Sequence, residues 1–107
     1  MNPTTTIPVV VTPEVAARVA ELGMQRELQQ MLDHALQTIP GLRSIEVVLA
    51  LPYDTGDETS ITIEAMTNVG PSVAFPAEDR WSQWRVDTFP PEIWSHIRLF
   101  VQPGTIS

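Results

Sequence analysis

Residues 45–66 read IEVVLALPYDTGDETSITIEAM, and two alternating runs within this stretch flank a turn-forming segment. Apolar side chains occupy every second position of each run, a period typical of a half-buried strand. They are Ile45, Val47, Leu49 and Leu51 in the first run and Ile61, Ile63 and Ala65 in the second. The intervening residues 52–58 are rich in turn formers and predict a hairpin loop. An antiparallel strand pair is therefore expected.

Two glutamates lie on the polar faces of these predicted strands. Glu46 and Glu64 would approach each other across the strand pair, and two carboxylates at a suitable separation can perform general acid–base chemistry. Solvent-facing positions of a sheet covered on one side are ordinarily polar, however. That explanation is favoured, because no pocket around the two glutamates follows from the sequence.

The N-terminal region predicts a short strand and then a helix. Residues 7–11 are rich in β-branched side chains, and an edge strand there would tolerate Pro8. Thr12-Pro13-Glu14 is typical of a helix start. Threonine caps the helix, proline suits its first position and glutamate complements its dipole.

The apolar stripe of this helical region changes phase near Gly23. Its first apolar side chains, through Leu22, share one face, whereas the series that begins at Met24 is centred on nearly the opposite side. We therefore predict that Gly23 ends a first helix and that a second helix runs to about Gln37. One long helix over residues 13–38 is the alternative.

The C-terminal half predicts further elements of both kinds. They are a loop over residues 67–76, a helix from Ala77 to about Thr88, a single helical turn over residues 91–94 and a last strand through Ile97, Leu99 and Val101. The loop is unusual, because it carries apolar Val69, Val73 and Phe75, which need a cover. A strand over residues 84–89 is the alternative for the end of the helix.

Together these elements predict one α+β domain over residues 1–107, with residues 1–6 disordered. A two-layer sandwich, in which helices pack on one face of a small antiparallel sheet, would bury all of the apolar stripes.

The acidic character of the chain argues against several classes of partner. Thirteen acidic residues stand against six basic residues, for a formal net charge of −7. The basic residues, all arginines, are scattered along the sequence, so binding to nucleic acid or to a membrane is not expected. The absence of cysteine excludes disulfides and thiol catalysis. With no charged leader or apolar span, a cytoplasmic location is expected.

Two groups of residues bear on metal binding. Asp54, Asp57 and Glu58 in the predicted hairpin loop offer carboxylate oxygens, but they lack the alternating spacing of a calcium loop. Turn chemistry explains them better. His34 and His96 lack the spacing of a metal-binding pair. No metal, cofactor or catalytic residue is therefore predicted.

The best candidate for a functional surface is the aromatic C-terminal segment. We predict that a partner or ligand binds on Trp81, Trp84, Arg85, Trp94 and Phe75. Tryptophan and arginine dominate the energetics of many interfaces, and arginine stacks on aromatic rings. Burial of the tryptophans in the core is the alternative, which burial statistics favour.

Four segments taken together resemble a family of small bacterial α+β proteins to which no activity is attached. They are TPEVAARVAELGM at 12–24, PGLRSIEVVLALPYDTGDE at 40–58, WSQW at 81–84 and FPPEI at 89–93. The resemblance spans most of residues 10–102. It implies an N-terminal helix, a hairpin, a tryptophan-containing C-terminal segment and a bacterial origin, but no catalytic residue.

The leading functional hypothesis is a non-catalytic protein-interaction module. It would self-associate or bind another protein, for example as a small acidic accessory or antitoxin-like partner. One alternative is a small hydrolase or metal-dependent enzyme that uses Asp54, Asp57 or Glu58. Another is a small-ligand binder at the Trp81/Trp84 segment. The acidic charge and the lack of a recognisable catalytic motif favour the first hypothesis.

Overall fold

The computed structural model describes residues 7–50 and 60–104 of the chain. In order, its elements are β1 (Val9–Val11), α1 (Pro13–Leu22), α2 (Gln25–Thr38), β2 (Leu42–Ala50), β3 (Ser60–Thr67), α3 (Pro71–Thr88), α4 (Pro91–Trp94) and β4 (Ile97–Gln102). Residues 1–6 and the predicted hairpin loop, with Asp54, Asp57 and Glu58, lie outside the described residues.

The four strands form one sheet in the order β1-β2-β3-β4. The central pair β2–β3 is antiparallel and opposes Val47 to Ile63, which confirms the predicted strand pair. The outer pairs β1–β2 and β3–β4 are parallel. The predicted α+β two-layer fold is thus confirmed, but the sheet is mixed rather than antiparallel. The physical reason is that a helical crossover joins each outer pair and carries the chain back before the next strand begins.

One hydrophobic core lies between the sheet and the helices. Alternate side chains of β2, β3 and β4 point into this core, and Val47, Ile63 and Val101 are fully buried there. The three longer helices contribute the other half of the core, with Val15, Val19, Leu28, Met31, Leu32, Ala35, Ala74, Ala77 and Trp81. These side chains bring the helices onto one face of the sheet.

The two crossovers have opposite hands. Both step in the same direction across the sheet, from β1 to β2 and from β3 to β4. The strands they join point in opposite directions, because β2 and β3 are antiparallel. Since both sets of helices cover the same face, one crossover is right-handed and the other is left-handed. A left-handed crossover is uncommon in proteins.

The start and the end of α1 follow the predicted signals. The hydroxyl of Thr12 accepts a hydrogen bond from the N–H of Val15 at 3.4 Å, and Pro13 takes the first helical position. Gly23 adopts a left-handed φ of 67°, where a side chain would be strained. The prediction of two helices is therefore confirmed, and the alternative of one helix over residues 13–38 is wrong.

The loop predicted over residues 67–76 is shorter in the structure and covers only residues 68–70. Pro71 takes the first helical position of α3, and the helix continues past Pro76. A proline in a helix interior removes a hydrogen bond and normally marks a boundary, which is why the sequence suggested a later start. The alternative strand over residues 84–89 is also wrong, because α3 extends through most of it. The helical turn α4 and the strand β4 are confirmed.

Candidate functional site

The described helices pack on one face of the sheet and leave the other face without a helical cover, although Thr62 on that face is only 7% exposed. The strand registers arrange the side chains of this face, the open sheet face, in three rows. The rows are Val10, Glu46, Glu64 and Phe100; Val48, Thr62 and Arg98; and Ser44, Met66 and Gln102.

Three large apolar side chains are exposed on the open sheet face. The exposed fractions are 54% for Val10, 40% for Met66 and 49% for Phe100. Isolated apolar residues on a surface are normal, but several on one uncovered face are a feature of binding surfaces. The sequence carries a signal for two of them. Met66 and Phe100 are apolar at positions where strand alternation calls for polar side chains.

Glu46 and Glu64 oppose each other directly on this face, as we predicted from the strand pattern. Two like charges in directly opposed positions repel each other. Among residues 7–50 and 60–104, the one ion pair joins Arg18 to Glu21, so neither of these two glutamates is paired. The centre of the open sheet face is therefore negative, and a cationic group of a partner would offset the repulsion.

The two edge strands of the sheet differ in how far their outward-facing backbone groups are covered. At β4, a carboxylate oxygen of Glu78 accepts a hydrogen bond from the N–H of Val101 at 2.8 Å. Nη1 of Arg85 donates to the carbonyl of Ile97. Side chains of α3 thus form hydrogen bonds with backbone groups of β4 that an additional strand would need for pairing. At the opposite edge, all three residues of β1 (Val9–Val11) are exposed.

Trp81 belongs to the core rather than to a surface. It is 1% exposed, and its Nε1 donates to the backbone carbonyl of Met31 at 3.2 Å. A buried indole N–H requires such an acceptor, and this bond ties α3 to α2. In the folded protein, Trp81 is therefore not accessible to a partner or a ligand.

Trp84 is half-buried beneath other rings. The imidazole of His34 stacks on it with ring centroids 3.8 Å apart and planes 6° from parallel. The ring of Phe89 meets it edge-on at 5.6 Å. Burial lowers the pKa of His34 below its ordinary value, since the charged imidazolium loses hydration. The stacking of His34 on Trp84 was not predicted from the sequence.

Arg85 and Trp94 are the predicted site residues that the fold brings together at the surface. The guanidinium carbon of Arg85 lies 5.3 Å from the ring centroid of Trp94, within the range of a cation–π interaction. Both side chains are half-buried. Phe75 is 45% exposed on α3 and takes part in no ring contact among the described residues.

Two grooves are large enough to hold a small ligand. The larger, of about 530 Å³, lies where β3 and β4 end, and its walls include Arg43, Met66, Asn68 and Gln102. The second, of about 360 Å³, is lined by Arg85, Trp94, Ser95 and Arg98. Neither groove is lined by Trp81 or Trp84.

No group of three His, Cys, Asp or Glu side chains suited to a metal ion occurs within the part of the chain that the structure describes. The alternative of a metal site at Asp54, Asp57 and Glu58 concerns residues outside that part and stays untested. Over the same described ranges, no helix has both the length and the apolar character that crossing a membrane requires.

Comparisons with protein-family models, with curated proteins and with solved structures gave no match to this chain. The resemblance to a family of small bacterial proteins therefore stays a prediction.

Proposed function

We propose that this protein is a non-catalytic interaction module that binds a basic protein partner on the open sheet face. The observation that carries the proposal is the exposure of Val10, Met66 and Phe100 on a sheet face that no described helix covers. Burying these side chains against a partner would remove apolar surface from water, which is the main driving force of protein association.

Charge favours a basic partner over a second copy of the chain. Glu46 and Glu64 form no ion pair with any described residue, and the whole chain carries a formal net charge of −7. Two copies packed face to face would bring four glutamates together, and like charges at an interface are unfavourable. A partner with lysine or arginine beside apolar side chains would satisfy both features of the surface.

The dimensions of the face predict a transient complex. Four strands spaced about 4.8 Å apart, with an average length of roughly 20 Å, give a flat area of about 400 Å². Standard stable interfaces bury about 800 Å² on each partner. Binding through this face alone is therefore expected to be weak and to depend on salt concentration.

A matched pair of phenylalanine variants tests the proposal. Phe100→Ser alters the open sheet face, and Phe75→Ser makes the same change on α3 at a nearly equal exposure, 45% against 49%. Tagged wild-type protein and both variants are used for pull-downs at moderate salt, read by mass spectrometry, and their thermal unfolding is compared. We expect a basic partner to be retained by Phe75→Ser and lost with Phe100→Ser.

Other outcomes would change the binding surface or the kind of partner that we assign. Loss of the partner with Phe75→Ser alone would place binding on the helical layer, where Phe75, Arg85 and Trp94 remain the second candidate surface. Capture of no protein, together with a dimeric mass in light scattering, would favour self-association. Equal binding by all three proteins would contradict both surfaces.

A further inference from the structure

We propose that Arg85 and Arg98, with Ser95 as a further hydroxyl donor, form a binding site for a phosphate monoester. Together with Trp94, these residues line the groove of about 360 Å³. This volume lies at the lower end of the range that small-ligand sites occupy. The inference concerns a different class of ligand from the proposed basic partner, although Arg98 belongs both to this groove and to the open sheet face.

Arg85 is held in place before any ligand binds. Its Nη1 donates to the carbonyl of Ile97 on β4, and its guanidinium carbon lies 5.3 Å from the ring centroid of Trp94. A guanidinium fixed at two points loses less conformational freedom when it binds an anion than a free side chain would. Most of its N–H donors are still unused, and the buried Nε–H has no acceptor among the described residues.

Two arginines line this groove, and no acidic residue is among the described residues that line it with them. The chain carries thirteen acidic residues, yet within the described ranges neither Arg85 nor Arg98 forms an ion pair. Burial and, secondly, the charge of Arg98 lower the pKa of Arg85, and both residues line the same groove. Their mutual repulsion would be relieved by an anion that accepts hydrogen bonds from both.

The pair of guanidinium groups suits a doubly charged oxyanion. A phosphate monoester carries a charge of about −1.5 to −2 near neutral pH and has three strong acceptor oxygens. Planar guanidinium groups recognise such oxygens through paired N–H donors. The organic part of the ester would lie against the half-buried ring of Trp94, which forms the remaining wall of the groove.

Binding is measured by isothermal titration with phenyl phosphate at constant ionic strength, with ¹⁵N-edited NMR of the arginine Nε–H signals. We expect Arg98→Gln to weaken binding about tenfold or more, because it removes a charge-assisted hydrogen bond. Arg80→Gln removes the same charge from an exposed position on α3 outside the groove. The affinity of Arg80→Gln for phenyl phosphate should remain within about twofold of the wild-type value.

Three results would overturn the proposal. They are no binding of phenyl phosphate by the wild-type protein, equal weakening in Arg98→Gln and Arg80→Gln, and equally tight binding of succinate, a dianion without phosphate. Arg98 is exposed on an edge strand, so its replacement leaves the core intact and the test does not depend on Arg85→Gln folding. The NMR spectrum of each variant checks that the fold is retained.

Discussion

Trp84 is enclosed by rings from different parts of the chain. His34 of α2 covers one face at 3.8 Å, Phe89 meets the ring edge-on, and Trp81 lies 5.9 Å away. Aromatic pairs of this kind contribute about 0.5–1.5 kcal/mol beyond the area that they bury. The cluster therefore fixes α3 against α2 and leaves Trp84 little free surface for a ligand.

His34 makes the stability of this cluster depend on pH. Its pKa in the folded protein lies below the ordinary value of 6.5, so the unfolded chain takes up the proton more readily. The stability associated with neutral His34 is fully present above the unfolded pKa. It is lost as the pH falls through that value toward the lower folded pKa.

We predict that replacing His34 by phenylalanine reduces this acid sensitivity. Between about pH 7.5 and pH 5.5, which brackets the ordinary histidine pKa, the fall in Tm should be smaller in His34→Phe than in the wild-type protein. The phenylalanine ring would still stack on Trp84, but it cannot bind a proton. His96→Phe is the control, and an equal benefit from that variant would contradict the assignment to His34. Differential scanning calorimetry measures each Tm.

At the scale of single elements, α3 connects the two layers most closely. It supplies Trp81 to the core, and it holds the outer edge of β4 through Glu78 and Arg85. These two side chains are seven residues apart, which is close to two helical turns. Both therefore project toward the same strand. The opposite edge strand, β1, has only three residues, and its short length limits pairing with another chain.

We predict that Pro76 weakens α3. A proline in a helix interior costs about 3 kcal/mol or more relative to alanine, because it lacks the N–H and crowds the preceding turn. The side chain of Pro76 is exposed, so its removal sacrifices little packing. Pro76→Ala should therefore stabilise the protein by about 1–3 kcal/mol in urea unfolding.

Pro71→Ala is the matched control for this prediction. Pro71 takes the first helical position, where the missing N–H has no intrahelical acceptor in any case. Its replacement should change the free energy of unfolding by no more than about 0.5 kcal/mol. If Pro76→Ala increased the free energy of unfolding no more than Pro71→Ala, the prediction that Pro76 weakens α3 would be refuted.

At the scale of the whole molecule, the described helices cover one face of the sheet and leave the other without a helical cover. Every long helix packs on the covered face, and the core lies wholly on that side of the sheet. The uncovered face combines exposed apolar side chains with the opposed Glu46 and Glu64. This asymmetry is the structural basis of the proposed interaction function.

We predict that Glu46→Lys separates stability from partner binding. Placing a lysine opposite Glu64 replaces a like-charge pair by an opposite-charge pair, which should stabilise the fold by about 0.2–1 kcal/mol. The same change removes negative charge from the centre of the open sheet face, so capture of a basic partner should fall. Urea unfolding and pull-down measure the two effects.

Asp79→Lys is the control for charge, because it makes the same change at an exposed position on α3. It should leave both the free energy of unfolding and partner capture nearly unchanged. If both lysine variants reduced capture equally, the overall charge of the protein rather than the open sheet face would govern binding.

Local sequence signals determined most of the elements of this protein. The alternation in residues 45–66 predicted the central strand pair, because side chains of a strand point to opposite faces. The Thr12-Pro13 start and the Gly23 end of α1 were also predictable, since capping and left-handed backbone geometry depend on nearest neighbours. The opposed Glu46 and Glu64 followed from the same alternation.

The tertiary structure alone decided how these elements combine. The parallel pairing of β1 with β2 and of β3 with β4 depends on where each crossover returns, which no local period encodes. Helix α3 starts before Pro76, where the sequence suggested a boundary. The packing of Ala74 and Ala77 in the core favours this longer helix. Arg85 and Arg98, thirteen residues apart in the sequence, share a groove only because α3 packs beside β4. Periodicity identifies which face of an element is apolar, but contacts between distant segments form only when those faces pack together in three dimensions.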